Sequence, residues 1–187
     1  MSNQLGTRDV LVAVDMQNVF VDGAGEWGVT GYPAADATID KLRAGFPGTV
    51  VLTRFVPDSD EPGSWRSYYD RWPMMRLPRS NVAWDLTLDV NPDDVVISVP
   101  TFSKWGPQLE EIVALDATLV LCGVATDCCV IATALAAVDS GRKVLLVHDA
   151  CAGVSPEIHD KAVSLMGLLS PMINLTTTAD LLAGGSA

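Results

Sequence analysis

Six short runs of β-branched and aliphatic residues recur along the chain, and most are apolar at consecutive rather than alternate positions. They are Val10 to Val14, Thr49 to Val56, Val95 to Val99, Thr118 to Cys122, Val144 to Val147 and Met172 to Leu175. A strand without alternation is buried on both faces, which is the mark of a parallel sheet covered by helices. Stretches with helical spacing lie between the runs. Ala34 to Phe46 places Ile39, Leu42 and Phe46 on one face, with Pro33 in the first turn. Gln108 to Ala114, about Asp127 to Ser140 (stopped by Gly141), Pro156 to Leu169 and Ala179 to Leu182 read as further helices. The pattern predicts an α/β fold, with a mostly parallel six-stranded sheet and helices on both faces. The 187 residues fit one doubly wound domain, spanning 1–187.

In such folds ligands bind outside the carboxyl ends of the strands. That rule selects Asp15, Arg54, the loop from Pro100 to Trp105, Gly123 to Cys129, and Asp149. The stretch 57–92 departs from the α/β rhythm. It is long and punctuated by proline, and eight of the twelve aromatic residues lie between Phe55 and Trp105. It is expected to be an aromatic loop inserted in the domain, either a lid or a cluster packed on the sheet edge.

Composition excludes several functions. With 12 Lys and Arg against 23 Asp and Glu, the net charge is −11. Too few cations are present to neutralise a run of phosphates, so neither nucleic acid nor a membrane surface is expected as a partner. A small-molecule ligand fits the charge balance better. No run of about 18 apolar residues occurs, and the first nine residues lack the layout of a signal peptide. Cys122, Cys128, Cys129 and Cys151 lie in or beside apolar runs, without metal-type spacing to His148 and His159. They are expected to be reduced thiols of a cytoplasmic protein with no metal or cofactor.

The letters Gly23-Ala24-Gly25-Glu26-Trp27-Gly28 match a dinucleotide fingerprint but fail on context. Such a turn must follow the first strand directly and open a helix. Here it comes eight residues after Asp15, so a glycine-rich surface loop is the better reading. There is no Gly-x-Ser-x-Gly elbow and no phosphate loop. His148 and His159 read as structural.

The segment Leu121 to Val130 carries more. A strand ends, Gly123 turns the chain, and a helix opens with two cysteines in its first turn. Free N–H groups and the positive end of the helix dipole stabilise a thiolate there, and can hold an oxyanion. Buried cysteine is also common in helices, and neighbouring side chains diverge by about 100°, so at most one of Cys128 and Cys129 faces a site. Asp15, at the end of an apolar strand, has no local cation and reads as either a cap or a base. Lys104 is the one lysine on the same rim. An acid, a cation and a thiol on neighbouring strand ends are the components of an activated nucleophile.

These residues resemble a known family. The runs Leu11 to Phe20, Gly123 to Val130 and Val147 to Cys151 are similar in order and spacing to the isochorismatase-like cysteine hydrolases. That group includes nicotinamidases and N-carbamoylsarcosine amidase. The resemblance implies an Asp-Lys-Cys triad with Asp15 as the acid. It names Cys129, the cysteine directly before Val130, as nucleophile. It also implies a cis peptide between Val124 and Ala125, with the N–H groups of Ala125 and Cys129 as oxyanion donors, and a homo-oligomer, a dimer or tetramer.

Two departures stand out. The family lysine sits where this chain has Val99, and Lys104 comes five residues later, so Lys104 is assigned the role on the reach of its side chain. The Asp-x-His…His cluster of nicotinamidases is replaced by Thr53-Arg54-Phe55-Val56-Pro57-Asp58, which disfavours a zinc site and nicotinamidase activity. The function implied is cysteine-dependent hydrolysis of a small amide, ureide or carbamoyl compound, a C–N hydrolase reaction through a thioacyl intermediate. Phe20, Trp27, Trp65, Trp72 and Trp105 are candidate pocket walls. Arg54 is a candidate for a substrate carboxylate, or for a salt bridge with one of the many acids. Two other functions stay open on the residues: a non-catalytic small-ligand binder of the same fold, kept open by the displaced lysine, and a thiol redox protein using Cys128 and Cys129.

Overall fold

The computed structural model describes residues 5–21, 23 and 25–184. The first four of the nine residues read for a signal-peptide layout, Ala24 of the glycine-rich loop and the last three residues lie outside this set. In chain order the principal elements are β1 (Val10–Val14), α1 (Tyr32–Gly45), β2 (Thr49–Phe55), α2 (Trp65–Arg71), β3 (Val95–Val99), α3 (Pro107–Ile112), β4 (Thr118–Val124), α4 (Ile131–Asp139), β5 (Lys143–Ala152), α5 (Pro156–Gly167), β6 (Ile173–Thr176) and α6 (Thr178–Gly184).

The six strands form one sheet in the order β3-β2-β1-β4-β5-β6. Every pairing is parallel, so the sheet is wholly rather than mostly parallel. β1 sits at the centre and all five of its residues are buried. Burial of each large aliphatic side chain there contributes about 1.5–3 kcal/mol. Parallel strands need right-handed crossovers. These run one way from β1 through β2 to β3 and the other way from β4 through β5 to β6, which puts helices on both faces. α1 packs with α6 against β5, whereas α4 packs with α5. The direction reverses between β1 and β4, and a crevice opens there at the strand ends.

At that crevice β1 and β4 run in register, Val14 opposite Gly123. Gly123 has φ +108°, and a Cβ on it would collide with the backbone of Val14. Only glycine lets the last turn of β4 lie this close to β1.

Two elements differ from expectation. β5 continues past Val147 to Ala152 because the ladder to β4 shifts: Leu121 pairs with Leu146, but Gly123 pairs with Cys151. Asp149, selected as a rim residue, lies in the extended strand. Its Oδ1 accepts from the Thr178 N–H at 2.8 Å and the Thr178 hydroxyl at 3.0 Å, so it caps the start of α6. The helix expected from about Asp127 begins instead as a π-helical turn, Thr126–Val130, before α4. The Val130 N–H reaches back five residues to the Ala125 carbonyl at 3.1 Å.

The 57–92 insertion holds α2 and two 3₁₀ turns, Pro73–Met75 and Val82–Trp84. Gln17, fully buried just beyond β1, ties the insertion to the sheet. Its amide donates to the carbonyls of Phe55 (3.0 Å) and Trp84 (2.7 Å) and accepts from the Phe55 N–H (2.7 Å).

Gly123→Ala combines positive-φ strain with a backbone clash, and is expected to cost on the order of 3 kcal/mol in urea unfolding. Gly106→Ala, where a Cβ meets open space, serves as the control and is expected to cost far less.

Candidate active site

Asp15 follows β1 directly and is fully buried. Its Oδ1 accepts from the Thr53 hydroxyl at 2.8 Å, and its N–H donates to the same hydroxyl at 3.1 Å. Thr53 is the polar interruption in the interior of β2. Asp15 Oδ2 lies 2.8 Å from Lys104 Nζ, with both side chains at 0% exposure. Beyond that ion contact Oδ2 accepts no hydrogen bond, which leaves a lone pair free on it.

Lys104 reaches Asp15 from the loop after β3, five residues beyond the strand end. Its ammonium donates to the Thr101 carbonyl at 2.8 Å and stands 4.9 Å from the centroid of the Phe55 ring. The guanidinium-free, compact ammonium head is thus held by a carboxylate, a carbonyl and a ring face. The Lys104 N–H donates to the Thr133 hydroxyl at 2.8 Å, and that hydroxyl donates to the Cys129 carbonyl at 2.7 Å. Thr133, one turn after Cys129, therefore locks the lysine loop to the cysteine turn.

Cys129 is buried and Cys128 half-buried in the π-helical turn. The two thiols interact. Contact with Cys128 pushes the Cys129 thiol up, as do burial and the Asp15 carboxylate, while Lys104 opposes them. The contact with Cys129 holds Cys128 below the usual thiol range. Both charges of the ion pair thus reach the Cys129 thiol, in opposite senses. The other two cysteines are fully shielded. Burial pushes Cys122 up to about 12, and Cys151 is also raised. The peptide between Val124 and Ala125 is cis.

Both Cys128 and Cys129 open onto a cavity of about 400 Å³, within the range of small-molecule sites. Its aromatic walls are Phe20, Trp27, Phe55, Tyr68, Trp72 and Phe102, and Ala125 and Asp127 also line it. Of the residues singled out in the sequence, Asp15 and Lys104 meet, Cys129 lies within reach of their charges, and Phe20, Trp27 and Trp72 stand in the wall.

Arg54 and Trp105 are not in the wall. Arg54 points across the sheet to its register partner Ser98 on β3 (3.1 Å), with Asp85 4.0 Å away. Trp105 donates to Ser140 at 2.8 Å and packs under Arg142, 5.2 Å from its guanidinium, at the far end of α4. Trp65 packs on Phe102 at 4.8 Å rather than lining the cavity.

Thr53, Thr133, Tyr68 and Arg71 were not legible as site residues. A threonine inside an apolar strand, and another four residues after a cysteine, were the available signals for the first two. No group of three or more His, Cys, Asp or Glu among the described residues is arranged to hold a metal ion, and the stretch after β2 does not fit a nicotinamidase-type zinc site.

The family model for the isochorismatase domain matches residues 9–180. No curated protein matches the sequence. Among solved structures, a cysteine hydrolase from Pseudomonas syringae pv. phaseolicola 1448A superposes with a TM-score of 0.81 at 24% identity, over 98% of each chain. An isochorismatase-like hydrolase from Alkaliphilus metalliredigens gives 0.77 at 18% identity, over 94% of this chain and 97% of the other. A pyrazinamidase of Pyrococcus horikoshii in complex with zinc gives 0.69 at 26% identity, over 91% and 99%.

Removing one member of a buried ion pair strands the other charge. Lys104→Met is expected to lower unfolding stability by about 3–5 kcal/mol, and the double variant with Asp15→Asn to recover much of that loss. Equilibrium urea unfolding of the two variants checks this.

Proposed function

The chain belongs to the isochorismatase family, and we propose that it is a cysteine-dependent hydrolase of a small amide, ureide or carbamoyl compound, with Asp15, Lys104 and Cys129 as its catalytic residues. One observation carries this reading: a fully buried acid and ammonium stand 2.8 Å apart, and their charges reach the thiol of Cys129, which lines an aromatic cavity.

In this mechanism Asp15 takes the proton of the Cys129 thiol as the sulfur attacks the substrate carbonyl carbon and a C–S bond forms. Lys104 offsets the negative charge in the pocket. The oxyanion is received by the N–H groups of Ala125 and Cys129, each such donor being worth about 2.7–4 kcal/mol of barrier. Asp15 then delivers its proton to the leaving nitrogen, the C–N bond breaks, and ammonia or an amine departs. A water molecule attacks the thioester and gives a proton to Asp15. The C–S bond breaks, the carboxylic or carbamic acid is released, and Asp15 returns the proton to sulfur. Asp15 begins and ends ionised, so no external acid or base is consumed.

The open lone pair on Asp15 Oδ2 supplies the proton acceptor. The displaced lysine, which kept a non-catalytic role open, meets the acid at ion-pair distance, which favours the enzyme reading. A homo-oligomer and a cytoplasmic setting belong to the same proposal.

Cys129→Ala is expected to cut turnover on the order of 10⁴-fold or more with an unchanged far-UV spectrum, whereas Cys128→Ala keeps measurable turnover. An ammonia-release screen over small amides, ureides and carbamoyl compounds checks both. Full activity in Cys129→Ala would overturn the assignment.

A further inference from the structure

This inference rests on the hydrolase reading above and concerns what the cavity selects. The walls are six aromatic rings, several of them in edge or tilted contact. Trp27 lies 6.1 Å from Phe20 and 5.9 Å from both Phe55 and Tyr68. A compact ureide with several donors and acceptors would lose its water against such walls and find few partners. A flat ring or bulky apolar acyl group would gain contact area and ring-edge interactions.

The charged side chains on the wall are Arg71, Glu26 and Asp127. Asp127 is already engaged, its Oδ1 accepting from the Val154 N–H at 3.0 Å. Arg71 is not. Arg8, Arg43, Arg54, Arg76 and Arg142 each meet a carboxylate, and of the three arginines that meet none among the described residues, Arg66, Arg71 and Arg79, only Arg71 lines the cavity. Among the described residues Arg71 has no ion pair, although acids outnumber bases 23 to 12 in the chain. Its guanidinium stands 5.1 Å from the centroid of the Trp72 ring, a placement that leaves its planar fork available to a carboxylate.

Arg71 and Tyr68 lie three residues apart on α2, hence on one face of it. Both line the cavity. Burial, and then the charges of Cys128 and Cys129, push the Tyr68 phenol up to about 12, so it stays a neutral O–H donor close to the thiols. Arg76 fixes the end of α2. It donates to the Tyr69 carbonyl at 2.9 Å and to Glu61 and Asp70 at 2.6 and 2.7 Å.

We propose that α2 is the specificity element of the cavity, with Arg71 reading an anionic group, so that the preferred substrates are amides of planar aromatic or bulky apolar acids bearing a carboxylate remote from the scissile amide. Glu26, on the same wall, works against Arg71 and limits the gain.

The test is ammonia release from a matched pair, 4-carbamoylbenzoate and 4-methylbenzamide, by the full chain, Arg71→Gln and Glu26→Gln, with Cys129→Ala as the control. The full chain is expected to favour the anionic amide. Arg71→Gln lowers the anionic-to-neutral ratio of kcat/KM about tenfold, chiefly through KM for the anion. Glu26→Gln raises that ratio. An unchanged ratio in Arg71→Gln, or a preference of the full chain for the neutral amide, overturns the proposal. Turnover of other small amides but of neither probe also overturns it, while the hydrolase reading stands. Full activity in Cys129→Ala, or no turnover of any amide, ureide or carbamoyl compound, removes the hydrolase reading and this proposal with it.

Discussion

A carboxylate and an ammonium group, both sealed from water, meet at the end of the central strand. Neither could be buried alone, since an unpaired charge in such surroundings costs several kcal/mol. Much of the local structure satisfies this pair. Thr53 on β2 binds one oxygen of Asp15, Thr101 supplies a carbonyl to Lys104, and the Phe55 ring covers the ammonium. Strands β1 and β2, the loop after β3 and the start of α4 are thereby tied together at one end of the sheet. The pair contributes little net stability, but it dictates where those elements end.

The cysteine turn is built onto that pair rather than beside it. The Thr133 hydroxyl accepts from the Lys104 backbone and donates to the Cys129 carbonyl. A shift of the lysine loop is therefore transmitted to Cys129, and the reverse holds as well. Gly123 allows the turn to start against β1, and the π-helical geometry carries the two cysteines onto the cavity floor. The coupling explains how a lysine five residues beyond the end of β3 meets the acid. The loop is anchored by its backbone at Thr133, and the long side chain spans the remaining gap.

The insertion 57–92 completes the site from the other side. Gln17, inside the motif that follows β1, holds it by the carbonyl of Trp84. Its aromatic residues do not form a separate core. They join Phe20, Trp27 and Phe102, which come from other parts of the chain, in one wall around the thiols. The rest of the domain thus supplies most of the cavity lining, and the insertion adds Tyr68, Arg71 and Trp72 on one side.

The order of apolar runs and helical spacing determined the fold class, because strands without alternation require cover on both faces. Asp15 was marked by its place at the end of an apolar strand, whereas Cys129 and the cis peptide at Val124–Ala125 were expected only from the family resemblance. Long-range geometry decided the rest. Whether Lys104 reached Asp15 depended on the course of a loop and on Thr133, which is 29 residues away. Arg54 turned to Ser98 and Trp105 to Ser140, because side-chain direction follows sheet register and packing that no local pattern encodes. Tyr68 and Arg71 became part of the cavity only when α2 folded back over the strand ends. Burial of an apolar strand is written in consecutive residues, whereas a site is assembled from residues that meet only after the chain has closed.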